Sequence, residues 1–388
     1  MINIKFTNPP QNRLVIFDNA GSEVLEKMVL RGLDHAVLHS RYEMFYITPQ
    51  IVSCTLKNLK YMKAMRHGQT SRHLIKFLRQ LLGSLYRVYL LACLQNMRPL
   101  VVITLIDNSY PFQLISRIHK DAQFIAIQNG ARNRASITEY LPPVPQPGSI
   151  ISMPMLICFG QFDADLFSAC GHTIDKYYPR GSLKARYYKS VVSKAAPKRE
   201  FDLCLISEWD EKILSGKIMP TSRQGIIVLD HFLNRYIKEE KVSLCVALRY
   251  DNKKEGKYFL NQYGDQVTLI KGNRERMTSY DAVDRSAVTV SFYSTLAREA
   301  FGWGAKVMSC NLSGDAQFDF PCPGFWSINE QNYGLFKEKL DYLRAMDDEE
   351  YRRQTKDTAA YMMNNDSRPP HEFARELVLK QLDAPFER

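Results

Sequence analysis

The feature that most constrains this chain is a series of short, unbroken apolar runs rich in valine and isoleucine. They are separated by longer stretches of helical pattern. The first set is RLVIFD (13–18), HAVLHS (35–40), LVVITLID (100–107), FIAIQ (124–128) and MLICFG (155–160). A second set follows: FDLCLIS (201–207), VSLCVALR (242–249), QVTLIK (266–271), AVTVS (287–291) and KVMSC (306–310). A strand with one wet face alternates apolar and polar residues, whereas an unbroken run must be covered on both faces. Alternation with helices then predicts parallel sheets flanked by helices on each side. The basic stretch KARYYKSVVSKAAPKRE (184–200) has no long apolar run and reads as the linker between the sets. The expected fold class is α/β, with two Rossmann-like, doubly wound parallel-sheet domains over residues 1–190 and 200–365 facing a cleft. A C-terminal helix over 366–388 carries Phe373, Ala374, Leu377 and Val378 on one face and packs back on either domain.

At 388 residues, with 45% hydrophobic and 24% charged residues, the chain is globular and not disordered. Its formal net charge of +11 calls for an anionic partner. That charge is uneven. No Asp or Glu occurs between Met44 and Ile106, a stretch that holds Lys57, Lys60, Lys63, Arg66, Arg72, Lys76, Arg79, Arg87 and Arg98. Such a stretch is either a solvated helix face or a surface that meets anionic membrane. No nucleic-acid-binding signature accompanies it, so no nucleic acid partner is expected. LIKFLRQLLGSLYRVYLLACLQ is apolar but is interrupted by Lys76, Arg79 and Arg87, which argues against a membrane span. MINIKFTNPPQNR lacks a signal-peptide core. The expectation is a cytoplasmic protein, peripheral at the inner face of the membrane.

The eight cysteines show no C-x-x-C spacing, and several sit inside apolar runs as small buried hydrophobes. The histidines have no ligand spacing, and DAD (163–165) opens a surface helix, so no metal is expected. Walker A, G-x-G-x-x-G, H-E-x-x-H and G-x-S-x-G motifs are absent.

In open parallel sheets, ligands bind beyond the carboxyl ends of the strands. The residues that follow the strands here are polar or ionisable. Asp107, Asn108 and Ser109 come after VVITLI, and Gln128, Asn129, Gly130, Arg132 and Arg134 after FIAI. Ser207, Glu208, Trp209 and Asp210 come after LCLI, and Arg249 and Tyr250 after LCVAL. Ser291, Ser294 and Thr295 follow AVTV and open a helix that carries Glu299 one turn on. A helix start with hydroxyls suits phosphate and is equally an ordinary N-cap. Arg132 and Arg134 are expected to project into the cleft, with an ordinary loop in solvent as the alternative.

STLAREAFGWGAKV (294–307) resembles the donor-binding segment of GT-B glycosyltransferases. VVITLIDNSYPFQLISRIHKDAQFIAIQNGARN, MLICFGQFDADLF, PRGSL and FDLCLISEWD are similar to bacterial surface-carbohydrate biosynthesis proteins. That neighbourhood includes the retaining transferases of 3-deoxy-D-manno-oct-2-ulosonic acid (Kdo) in lipopolysaccharide and capsule assembly. The resemblance implies a glycosyltransferase with a nucleotide-sugar donor, most specifically CMP-Kdo, and a saccharide acceptor that is usually lipid-linked. Many relatives carry His-Pro after the second strand of the C-terminal domain, where this chain has ALRYDN. Arg249 then stands in for phosphate binding, with Ser291, Ser294, Thr295 and Lys271, while Glu299 meets the ribose. Asp210 would attack the anomeric carbon, with Glu208 as its rival and helix capping as the alternative role of both. Asn108, Gln128, Asn129, Gly130, Arg132 and Arg134 would meet the acceptor or the sugar carboxylate, and Asp107 would orient the arginines or serve as acceptor base. No cofactor is expected. The alternatives are a nucleotide-sugar epimerase, a UDP- or GDP-sugar transferase on the same scaffold, and a non-catalytic holder of a polysaccharide precursor.

Overall fold

Each of the ten apolar runs forms a strand. The computed structural model describes residues 2–65, 74–133, 152–193, 198–250, 252–365 and 368–383. The chain divides into two compact units, one of Met1–Leu183 with Ser367–Arg388, the other of Lys184–Asp366.

In the first unit the strands are β1 (Asn3–Lys5), β2 (Leu14–Phe17), β3 (Ala36–Leu38), β4 (Met44–Tyr46), β5 (Val101–Thr104), β6 (Gln123–Ile127), β7 (Ser152–Cys158) and β8 (Thr173–Pro179). Six of them form one parallel sheet in the order β3-β2-β5-β6-β7-β8, and β1 pairs with β4 separately. The central strands β2 and β5 are buried along their whole length, as their unbroken apolar sequence requires. Helix Tyr110–Ile118 covers one face. Its Phe112 meets Phe17 and Phe124 edge-on, with ring centroids 5.5 and 5.4 Å away. The C-terminal helix Pro370–Asp383 returns to this unit and buries Ala374, Leu377 and Val378, while Arg375 donates to the carbonyls of Val29 and Arg31.

The second unit contains β9 (Phe201–Ile206), β10 (Leu244–Ala247), β11 (Val267–Ile270), β12 (Ser286–Ser291), β13 (Val307–Cys310) and β14 (Ser327–Ile328). All are parallel, in the order β11-β10-β9-β12-β13-β14. The chain starts in the middle, winds outward to β11, then crosses over β9 to β12. Strand order therefore reverses between β9 and β12, and it is at the carboxyl edge of such a reversal that open parallel sheets bind ligands.

The stretch read as a linker is folded at its start. Leu183–Tyr187 is helical and runs into a wide turn over Tyr188–Val192. Its anchor is aromatic. Tyr188 is buried, lies 5.2 Å from Tyr280 and 6.2 Å from Trp303 (ring centroids), and donates to Asp284 at 3.0 Å.

Candidate functional site at the carboxyl edge of the second sheet

The register sets Leu205 opposite Val290 and Ile206 opposite Ala247, so β9, β10 and β12 end level with one another. The loops that leave them carry Glu208, Arg249 and Ser294. Arg249 and Ser294 both act on the Glu208 carboxyl, Arg249 by its charge and Ser294 by a hydrogen bond. Burial outweighs both and pushes the Glu208 carboxyl up to about 8. Glu208 is half-buried as a residue, and its carboxylate is the buried end: Oε1 has no hydrogen-bond partner among the described residues. The hydroxyl of Ser291, on the last residue of β12, is buried and equally unpartnered. Native interiors rarely leave polar atoms in this state, and two of them beside a strand crossover make this edge the candidate site.

Ser294 caps helix Thr295–Gly302, accepting from the Leu296 N–H at 3.3 Å, and Thr295 opens its first turn. The remaining N–H groups of that turn face the same edge with the positive end of the helix dipole. Glu299 lies one turn in, is 1% exposed and accepts the Tyr280 hydroxyl at 2.6 Å. That bond ties helix Thr295–Gly302 to helix Thr278–Asp284. Lys271 is exposed, and its carbonyl accepts from Thr278.

Asp210 behaves as a helix cap. Its Oδ1 accepts from the N–H groups of Lys212 and Ile213 at 2.8 and 3.3 Å, opening helix Glu211–Leu214. It also lines an open depression of about 750 Å³ with Trp209, Lys212, Lys217, Asn252 and Lys254.

Glu255 is the residue that sequence reasoning missed. It is fully buried. One carboxylate oxygen accepts the Ser207 hydroxyl and, at 2.7 Å, the Arg249 N–H; the other accepts the Tyr250 N–H at 2.9 Å. It thereby locks the loops after β9 and β10 together and sets where Glu208 and Arg249 stand. A signal was present: Asn252 caps helix Lys253–Tyr263, and Asn-x-x-Glu is capping-box spacing. Gly272 contributes by absence, since a Cβ there would lie 2.8 Å from the Leu248 carbonyl oxygen and 3.0 Å from that of Arg249.

The strand ends of the first unit are arranged differently. Asp107 is 1% exposed and accepts from Arg132 Nε at 2.9 Å and from the Asn129 N–H at 3.1 Å, with a second bond from Arg132 Nη2. The Arg132 guanidinium also reaches Asn129 Oδ1 at 2.9 Å. Arg132 therefore folds back onto its own sheet instead of projecting outward. Gln128 is buried and bridges Asp163, the Gly130 carbonyl and the Phe159 N–H. Asn108 is exposed, and Arg134 lies outside the described residues. No group of His, Cys, Asp and Glu suited to a metal ion occurs among the described residues.

A family profile described as "putative O-antigen biosynthesis protein" matches residues 157–375, more than half the chain. The chain belongs to this family. No curated protein matches it. Among solved structures it is similar to the UDP-GlcNAc 2-epimerase of Neisseria meningitidis bound to UDP-GlcNAc, at 11% identity and TM-score 0.51, covering 95% of this chain and 98% of that one. The UDP-GlcNAc 2-epimerase of Methanocaldococcus jannaschii, solved with UDP-GlcNAc and UDP, matches at 9% identity and TM-score 0.53, over 95% of this chain and 98% of that one. A wall teichoic acid polymerase matches at 10% identity and TM-score 0.52, over 98% of this chain and 91% of that one. At such identities the likeness concerns the fold, which is of GT-B type in this family member too.

Proposed function

We propose that the protein is a glycosyltransferase of O-antigen or related surface-polysaccharide assembly. It takes its sugar from a nucleotide donor held at the carboxyl edge of the second sheet. The observation that carries this is the pair of unpartnered buried atoms, Glu208 Oε1 and Ser291 Oγ, beside Arg249 and a Ser-capped helix start. A donor phosphate would supply what each lacks. Arg249 and the N–H groups after Ser294 neutralise its charge, and the Ser291 hydroxyl donates to it. A carboxylate would repel the phosphate; a carboxyl held up to about 8 is neutral near pH 7 and donates a hydrogen bond instead. As the bond between the anomeric carbon and the phosphate oxygen breaks, charge grows on the phosphate, and that donor stabilises it. The acceptor oxygen forms the new bond to the anomeric carbon as the nucleotide departs, and the hydroxyl proton passes to the released phosphate. In this reading Glu208 acts on the leaving group, and Asp210 keeps its capping role.

For the donor, the sequence resemblance favours a CMP-linked ulosonic acid, Kdo above all, and a lipid-linked acceptor. Calorimetric titration with CMP, CDP, UDP and GDP, first without and then with Mg²⁺, tests this. Selective CMP binding without metal is the expected result. Selective UDP or GDP binding would remove the Kdo donor and keep the transferase. The fold shared with 2-epimerases supports one rival, which turns over a sugar nucleotide with no acceptor present; a transferase leaves it intact.

A further inference from the structure

The long helix Leu74–Met97 has two unlike halves. Its second half belongs to the core of the first unit: Val88, Leu90, Leu91, Ala92, Cys93, Leu94 and Met97 are at most 1% exposed. Its first half carries Leu74, Ile75, Leu78, Leu81, Leu82 and Leu85 at 70, 67, 45, 43, 63 and 41% exposure. Their spacing of i, i+1, i+4, i+7, i+8 and i+11 lays them along one stripe. The neighbouring helical segment exposes Val52, Leu56 and Leu59 at i, i+4 and i+7, 39–61% exposed. Single exposed leucines are ordinary on a protein surface, but a stripe of six is not.

We infer that this stripe is a docking surface for an anionic lipid bilayer, entered by the leucine side chains and not merely touched by the basic ones. Charge decides the occupant. Lys57, Lys60, Lys63 and Arg79 are exposed around the stripe, and no carboxylate occurs between Met44 and Ile106. A second copy of the chain would set cations against cations, whereas phosphate headgroups neutralise them while the leucines reach the acyl boundary. Spanning is a poor fit. The window Phe77–Met97 is long and apolar enough by composition, yet half of it is buried inside the protein. The inference is independent of the donor assigned above.

Flotation of the full chain with vesicles of phosphatidylcholine, alone or mixed with phosphatidylglycerol, tests it, with sedimentation velocity alongside. The wild type is expected to float with the anionic vesicles only. The double variant Leu78→Gln with Leu82→Gln, which keeps helix propensity, should lose at least tenfold in vesicle affinity. Lys57→Glu with Lys60→Glu should lose as much. Circular dichroism confirms that both remain folded. No flotation of the wild type overturns the inference. So does flotation that depends on the lysines but not the leucines. A wild-type dimer that the leucine variant converts to monomer, without vesicle binding, would make the stripe a subunit interface and equally overturn it.

Discussion

Among the described residues of the first unit, the acids that follow the strands are engaged. Asp18, after β2, accepts from Ser40 at 2.8 Å, Arg41 at 2.7 Å and the Ala20 N–H at 3.0 Å. Asp107, after β5, holds Arg132 and Asn129; Asp163, beyond β7, holds Gln128. In the second unit Glu208 follows β9 with one oxygen unpartnered, and Ser291 ends β12 in the same state. Both edges draw on similar residue types. A polar residue after a parallel strand is thus scaffold when its neighbours satisfy it, and a candidate for chemistry when the fold leaves it unsatisfied.

The largest effect of a single substitution is expected in the first unit. Arg132→Ala leaves the Asp107 carboxylate buried without its cation, and should cost about 3–5 kcal/mol of that unit's stability by chemical denaturation. Nucleotide affinity of the folded fraction should not change. A loss below 1 kcal/mol would mean that Asp107 is not the scaffold residue described.

Next come substitutions at Glu208. Glu208→Ala should lower turnover about a hundredfold, the scale of losing one hydrogen bond to a developing oxyanion. Glu208→Gln keeps a donor and should retain most of the activity. That pair sharpens the assignment, because a nucleophile or a base would be destroyed equally by either change. In the wild type, activity should decline as pH rises through about 8, where Glu208 ionises; in Glu208→Gln this alkaline limb should vanish. Stability carries the same signature. The folded chain keeps the Glu208 proton over a range in which the unfolded chain, with an ordinary carboxyl, has lost it. Glu208 therefore makes stability fall as pH rises from about 4.5 to about 8. Glu208→Gln should flatten that slope in a series of denaturant titrations.

The smallest effect is expected at Ser294. Removing the cap with Ser294→Ala should cost about 1 kcal/mol of stability and weaken nucleotide binding only modestly, since the backbone N–H groups remain. A loss of binding as large as that for an arginine would make the hydroxyl itself a ligand.

The sheets were legible because burial on both faces forces unbroken apolar runs. The strands missed are those to which that force does not apply. β8 lies at a sheet edge with several exposed residues and reads TIDKYYP; β14 has two residues; β1 and β4 form a separate small ribbon. The turn at Tyr188 was hidden because aromatic contacts with Tyr280 and Trp303 hold it, not an aliphatic period. The strand-end rule pointed to Glu208, Arg249, Ser291 and Ser294, and the fold brings these four to one sheet edge. It could not tell which way a side chain turns. Arg132 turns back to Asp107, and Glu299 turns into the unit towards Tyr280, because partners distant in sequence satisfy them there.

The most direct test is nucleotide titration calorimetry on the wild type, Arg249→Ala and Asn108→Ala, two exposed residues that stand on the two different edges. A nucleotide is expected to bind, Arg249→Ala to weaken it at least tenfold, and Asn108→Ala to leave it unchanged. Binding that ignores Arg249 but fails with Asn108→Ala, or no binding of any nucleotide, would contradict a donor site at the second sheet.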